Sequence, residues 1–91
     1  MIVYHDGTRC ELVEDGVVNW QKSPRVTLRL AEGDVYTRKK GYGWQRRITD
    51  LVWIGERLMI GFEEHYGDYK WKGKDMYNCT ANALVNWGKK E

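Results

Sequence analysis

Serine occurs once in this chain, proline once, and cysteine and histidine twice each, so several kinds of chemistry start with almost no material. Ser23 stands directly before Pro24 and no G-x-S-x-G elbow surrounds it, which leaves serine-type nucleophilic catalysis without a candidate. Cys10 and Cys79 are far apart in sequence and match no metal-ligand spacing, and two cysteines make no disulfide framework. They are expected as reduced, mostly buried thiols, with a disulfide between them left open. A cysteine–histidine site would need Cys10 or Cys79 to meet His5 or His65 in space, and nothing in the sequence directs them together. Long hydrophobic runs are also missing. Nothing approaches the ~18 consecutive apolar residues of a membrane span, and no basic stretch followed by an apolar one opens the chain. The expectation is a soluble, cytoplasmic protein with no membrane contact, and Asn78-Cys79-Thr80 is read as a chance match to a glycosylation pattern.

Motifs for cofactors and phosphates are absent as well. Gly41-Tyr42-Gly43 begins like a nucleotide-binding loop, but no third glycine follows at the required spacing and no βαβ unit surrounds it. Glu63-Glu64-His65 offers metal-ligating types, yet neighbours on a strand point to opposite faces and no second cluster completes a site. No catalytic residue, metal or cofactor is therefore assigned. At 91 residues the chain has room for one modest core and is expected to form one compact domain.

What the chain has in quantity is glycine, large aromatics and basic residues: ten glycines, five tryptophans, six tyrosines and fifteen Lys plus Arg. The glycines sit largely at turns. Asp6-Gly7 and Asp15-Gly16 are two-residue hairpin signals because both dipeptides tolerate the positive φ of a type I′ turn. They imply strands near 1–5, 8–14 and 17–21, with Val3 opposite Cys10 in the first hairpin, and Val13 opposite Val18 and Glu11 opposite Trp20 in the second. Those two pairings place opposite faces of the middle strand inward, which calls for a longer turn, a bulge or cover on both faces. Val26, Leu28 and Leu30 alternate with Thr27 and Arg29 as a strand with one buried face, and Glu32-Gly33-Asp34 turns the chain into a strand beginning at Val35. The next strand is expected from near Ile48. In "ITDLVWIGERLMIGFE" a Gly55-Glu56 turn pairs Trp53 with Leu58, Leu51 with Ile60, Val52 with Met59, Ile54 with Arg57 and Thr49 with Phe62. Both faces of that hairpin are apolar near its tip, which predicts a central position with sheet or helix over each side.

Toward the C-terminus the period changes. Met76, Cys79, Thr80, Ala83, Leu84 and Trp87 recur at helical spacing, with Asp75 able to cap the start, Gly88 to end it, and Lys89 and Lys90 to suit its negative end. The spacing predicts a helix over 75–87, with a strand at Ala83–Trp87 as the rival. "VNWQK" at 18–22 and "VNWGK" at 85–89 fall in segments of different predicted structure and are read as chance. The fold class that follows is mainly β: about six to eight short antiparallel strands curved into a small barrel or sandwich, with one C-terminal helix.

Charge runs in blocks. Residues 1–20 carry net −3, 21–47 carry +6, 48–69 carry −4 and 70–91 carry +3. Folded apart, these blocks make a basic and an acidic face; interleaved by strand pairing, they cancel. Within the basic blocks lie two segments that mix cations and flat rings. "YTRKKGYGWQRRIT" at 36–49 contains Arg38, Lys39, Lys40, Tyr42, Trp44, Arg46 and Arg47, and "YGDYKWKGK" at 66–74 contains Tyr69, Lys70, Trp71 and Lys72. Such residues can neutralise phosphates and stack on bases, and they also dominate protein interfaces. The expected function is a non-catalytic binding module, an accessory or inhibitor protein of the kind viruses also encode, docking onto a larger protein through these residues. A phosphate-bearing ligand, nucleic acid or nucleotide, is the alternative, and self-association through an unpaired edge strand stays open. If residues 36–47 are a purely surface site, removing Trp44, Arg46 and Arg47 together abolishes binding at little cost to stability.

Overall fold

A computed structural model describes residues 1–41, 43–73 and 79–91. Among them run ten strands and one helix: β1 (Ile2–His5), β2 (Thr8–Leu12), β3 (Val17–Ser23), β4 (Val26–Ala31), β5 (Val35–Arg38), β6 (Trp44–Ile54), β7 (Arg57–Tyr66), β8 (Lys72–Gly73), β9 (Cys79–Thr80), α1 (Ala81–Trp87) and β10 (Gly88–Lys90). The mainly β class with one C-terminal helix is as expected, and all strand pairs are antiparallel. The number of strands exceeds the expected six to eight because β8, β9 and β10 are pieces of two or three residues that carry little pattern of their own. No helix among the described residues is long and apolar enough to cross a membrane.

The β6–β7 hairpin is the spine. Its tip pairs Ile54 with Arg57, Trp53 with Leu58, Val52 with Met59 and Leu51 with Ile60, as the alternation predicts. Gly55 has φ 61°, which only glycine adopts without strain at this turn. One edge of β6 is shared by two strands: β2 pairs with its C-terminal half and β5 with its N-terminal half. β7 carries β9 beside the C-terminal half of β6 and β8 beside the other. Where the two halves of β6 meet, the expected pairing of Thr49 with Phe62 fails. Ile48 pairs with Phe62 and Asp50 with Gly61, leaving Thr49 as an extra residue in a bulge. That insertion swaps the faces of everything before it: Ile48 joins Leu51 and Ile60 in the main core, and the residues of β6 before Ile48 are re-aimed with it.

Gly61 lies across from the bulge, and a side chain there would overlap the Asp50 carboxylate. Gly61→Ala is expected to destabilise the fold by about 1–3 kcal/mol through overpacking. Urea unfolding of Gly61→Ala, Asp50→Ala and the double variant tests this: the double variant should be more stable than the sum of the single costs predicts.

Asp6-Gly7 forms the expected two-residue turn, with φ 50° and 77°, and places Val3 opposite Cys10. Asp15-Gly16 does not make a hairpin. The conflict between the two pairings of β2 is resolved because the chain leaves the sheet there: β3 pairs with β4 in a separate two-stranded sheet, with Val18 opposite Leu30 and Trp20 opposite Leu28. These four residues face inward and lie with α1 over the main sheet, enclosing Leu30, Leu51, Ile60 and Leu84, each 0% exposed. The opposite face holds a smaller cluster of Cys10, Val52, Val3, Leu12, Ile54 and Met59. Its members all come from β1, β2, β6 and β7, so the layer expected over the second face is not found among the described residues. Cys10 and Val52 are small enough to be covered by their own strand neighbours.

The helix is shorter than predicted. Thr80 caps it, its hydroxyl accepting from the Ala83 amide at 3.0 Å, and Cys79–Thr80 pair with β7 as a strand. The Asp75 cap and the start at 75 lie outside the described residues. Gly88 ends the helix in extended backbone and passes directly into β10 beside β5. Extended backbone lets the chain pair at once, whereas a left-handed Gly would have turned it away. Trp53 and Trp87 pack at the margin of the core and are partly buried.

Candidate binding cleft

β6 begins at Trp44, four residues before the expected start, so the basic segment is not one loop. β5 ends at Arg38, and Arg46 and Arg47 lie within β6. Because the bulge at Thr49 fixes the faces, Arg46 and Arg47 go to opposite sides of the sheet. Arg46 Nε donates to Glu64 Oε2 at 2.9 Å, and its guanidinium lies 4.1 Å from the Trp87 ring centre and 4.6 Å from that of Phe62. Arg47 pairs with Glu63 and sits 4.3 Å from the centre of the Trp71 ring. The acidic block at 48–69 thus cancels two of the five cations of the first segment through the β6–β7 register. Both arginines are engaged in holding the sheet.

The other predicted residues gather in part. Trp44 tilts against Tyr66, ring centres 5.1 Å apart, and Gly43 lets them meet: a side chain there would come within 2.9 Å of the Tyr66 ring. With Tyr69, Lys70 and Lys72 they line a cleft of about 350 Å³, floored by Glu64 and His65. The two basic aromatic segments, distant in sequence, meet here because β6 and β7 pair along their length. Trp44, Tyr66 and Tyr69 are 37, 43 and 74% exposed, flat rings turned partly to solvent. Trp71 is not among them: it is half-buried against His65, ring centres 3.9 Å apart. Lys40 is exposed at the tip, Lys39 donates to the Val85 carbonyl at 3.0 Å, and Tyr42 lies outside the described residues.

From the cleft a groove runs onward. Trp44 and Glu64 also line a depression with Arg38, Arg46 and Trp87; Arg38 lines the next with Lys39, Lys89 and Lys90; and the last three border a fourth with Arg29 and Tyr36. Eight basic side chains line this path against two carboxylates, Glu64 and Glu91. Lys90 pairs with Asp34 at 3.2 Å, whereas Arg29, Arg38, Lys70, Lys72 and Lys89 have no acidic partner among the described residues. The acids of residues 1–20 fall on β2 and the turns at its two ends, which reach only the far half of β6. Charge therefore separates after all, apart from the two Arg–Glu pairs and Lys90–Asp34.

Sequence reasoning missed Arg29, Lys89 and His65 as parts of this surface. His65 adjoins the second segment, which begins at Tyr66, and carried a readable signal. Lys89 and Arg29 come near the first segment only through the pairing of β10 with β5 and the fold-over of β3–β4, which no local pattern encodes.

Burial pushes the Tyr36 phenol up, with the Asp34 carboxylate adding to it. Burial likewise raises the Cys79 thiol, against a smaller opposing pull from Arg46. Neither group is set up as a nucleophile, and both cysteines are free and buried. Comparison of the chain with family models, curated proteins and solved structures gives no match.

Proposed function

We propose that the protein is a non-catalytic binding module that takes a single-stranded nucleic acid along the groove, bases against Trp44, Tyr66 and Tyr69 and phosphates against the lysines and arginines beside them. The observation that carries this reading is the excess of unpartnered cations along a path that starts at partly exposed rings. A protein partner anchored on aromatic hot spots needs the rings but not a run of unpaired charge. A polyanion needs both, since each neutralised phosphate releases counterions and each stacked base adds roughly 1–3 kcal/mol. Arg46, once read as a phosphate ligand, serves here by holding Trp87 and Glu64 in the wall of the groove.

The test is a tryptophan-fluorescence titration with a 12-nucleotide oligothymidine between 50 and 300 mM salt. Three to four phosphate contacts give a slope of log K against log salt of about −2 to −3. A slope near zero, or no binding, overturns the reading. A pull-down from lysate run alongside, with and without nuclease, assigns the surface to protein docking if a protein is retained through both nuclease and high salt.

A further inference from the structure

His65 lines the cleft without a part in the proposed binding, and its surroundings are unusual. Nε2 lies 2.6 Å from Gln45 Oε1 and Nδ1 lies 3.2 Å from the carbonyl oxygen of Tyr69. The orientation of Gln45 is fixed by its other contacts: Nε2 donates to Glu91 Oε1 at 2.7 Å and to Thr37 Oγ1 at 3.2 Å, and the Thr37 hydroxyl donates in turn to Glu91. Gln45 can therefore only accept from His65. The Tyr69 carbonyl can only accept too. A neutral imidazole has a single N–H and must point a lone pair at one of these oxygens. The imidazolium donates to both.

We propose that His65 is a positioning residue for the cleft and that it does this as the imidazolium, so that ligand binding takes up a proton. This rests on the nucleic-acid reading above and adds its regulation. The Tyr69 carbonyl belongs to the turn that carries Tyr69 and Lys70, and that turn is otherwise tied down by the Gly67 amide on Gly43 and the Tyr69 amide on Tyr66. Losing the proton leaves one N–H, which stays with the shorter contact to Gln45, so the Tyr69 carbonyl loses its donor and the turn, with one aromatic wall and one cation of the cleft, is held only by those two amides.

The charges around His65 point the same way. Across the sheet Glu63 and Arg47 pair with each other, as do Glu64 and Arg46 on the far face. Glu91 stands behind Gln45 and favours the cation, and Trp71 offers its ring to it. Lys70 and Lys72, which share the cleft, oppose it. Phosphates on those two lysines remove the opposition, so ligand and proton each strengthen the binding of the other. The sign follows: affinity is highest at low pH, where the imidazolium donates to both oxygens, and falls as pH rises.

The experiment measures the affinity for oligothymidine from pH 5.5 to 8.0, together with hydrogen-exchange protection of the Gly67 and Tyr69 amides in the free protein. Wild type should bind about tenfold more weakly at pH 8.0 than at pH 5.5, and protection of both amides should fall over the same interval. His65→Gln should show neither change, and His5→Gln, altered at the far end of the sheet, should show both. The proposal is overturned if wild-type protection is flat with pH, or if His65→Gln keeps the slope. Protection that follows pH in wild type alone, with no oligonucleotide bound at any pH, upholds the switch and removes the nucleic-acid reading instead.

Discussion

Replacing Arg46 by alanine is expected to destabilise the protein by about 3 kcal/mol, while the same change at its neighbour Arg47 costs under about 1 kcal/mol. The two residues are adjacent, both basic and both paired with glutamate, so only their surroundings separate them. Arg46 and Glu64 are 21 and 11% exposed at the side chain, and the guanidinium lies over both Trp87 and Phe62. Truncation strips Glu64 of its arginine in a mostly desolvated place, and breaking such a pair from one side costs about 3–5 kcal/mol when burial is complete, less here. It also removes two ring contacts of roughly 0.5–1 kcal/mol each. Arg47 and Glu63 are 39 and 32% exposed, and solvent screening leaves such a pair little net value. In a domain of this size about 3 kcal/mol lowers the melting temperature by roughly 12–24 °C. Thermal melts of both single variants decide it. Equal and small losses would show that the Arg46–Glu64 pair behaves as a surface pair. If desolvation is the cause, Arg46→Met with Glu64→Leu should recover most of the loss, because an apolar pair of similar volume leaves no charge to solvate.

That prediction reverses one drawn from the sequence, where Arg46 and Arg47 read as part of a dispensable surface loop. The reason lies in one inserted residue. Alternation along "ITDLVWIGERLMIGFE" fixes four of the five expected pairs correctly, because side chains there strictly alternate and the Gly55 turn sets the register. The bulge at Thr49 has no local signature beyond Gly61 across from it, and it decides which arginine meets Trp87. The Asp6-Gly7 turn was legible for the same reason as Gly55. Asp15-Gly16 carries the same dipeptide signal but serves an exit from the sheet, since Val13 already bonds to Leu51 and β2 is occupied on both edges by β1 and β6. Competition for strand edges is a property of the whole fold. The late helix start has a similar cause: Cys79 and Thr80 fit a helical period, but the free edge of β7 offers them backbone partners first.

For the cleft itself, the composition of the two basic aromatic segments was readable and their meeting was not. Trp44 belongs to the first segment and Tyr69 to the second, and the structure sets them around one opening. On a strand Trp71 would share a face with Tyr69, two residues before it, yet β8 begins only at Lys72. With no strand under it, Trp71 folds back onto His65 and Arg47 instead.

The largest expected effect on binding comes from a variant that leaves both arginines in place. Lys70→Gln and Lys72→Gln remove two exposed cations of the cleft, and Trp44→Ala removes a ring from its wall. At 50 mM salt each lost phosphate contact weakens binding to a single strand roughly eightfold, and a lost stack adds about 1–3 kcal/mol. The triple variant should bind oligothymidine about 300- to 10,000-fold more weakly than wild type by that arithmetic. Its salt slope should be shallower by about 1.4, because two counterions fewer are released. Melting should change little, since none of the three side chains is buried. Arg9→Gln with Arg57→Gln, two exposed cations beside the far half of β6, serves as the control and should leave affinity and slope unchanged. The two parts of the triple variant separate the competing ligands. If the lysine changes alone carry the loss and flatten the slope, the groove holds phosphates. If Trp44→Ala alone abolishes binding and the slope is unmoved by the lysines, the rings are an anchor for an apolar partner and the cations beside them set only the rate of encounter.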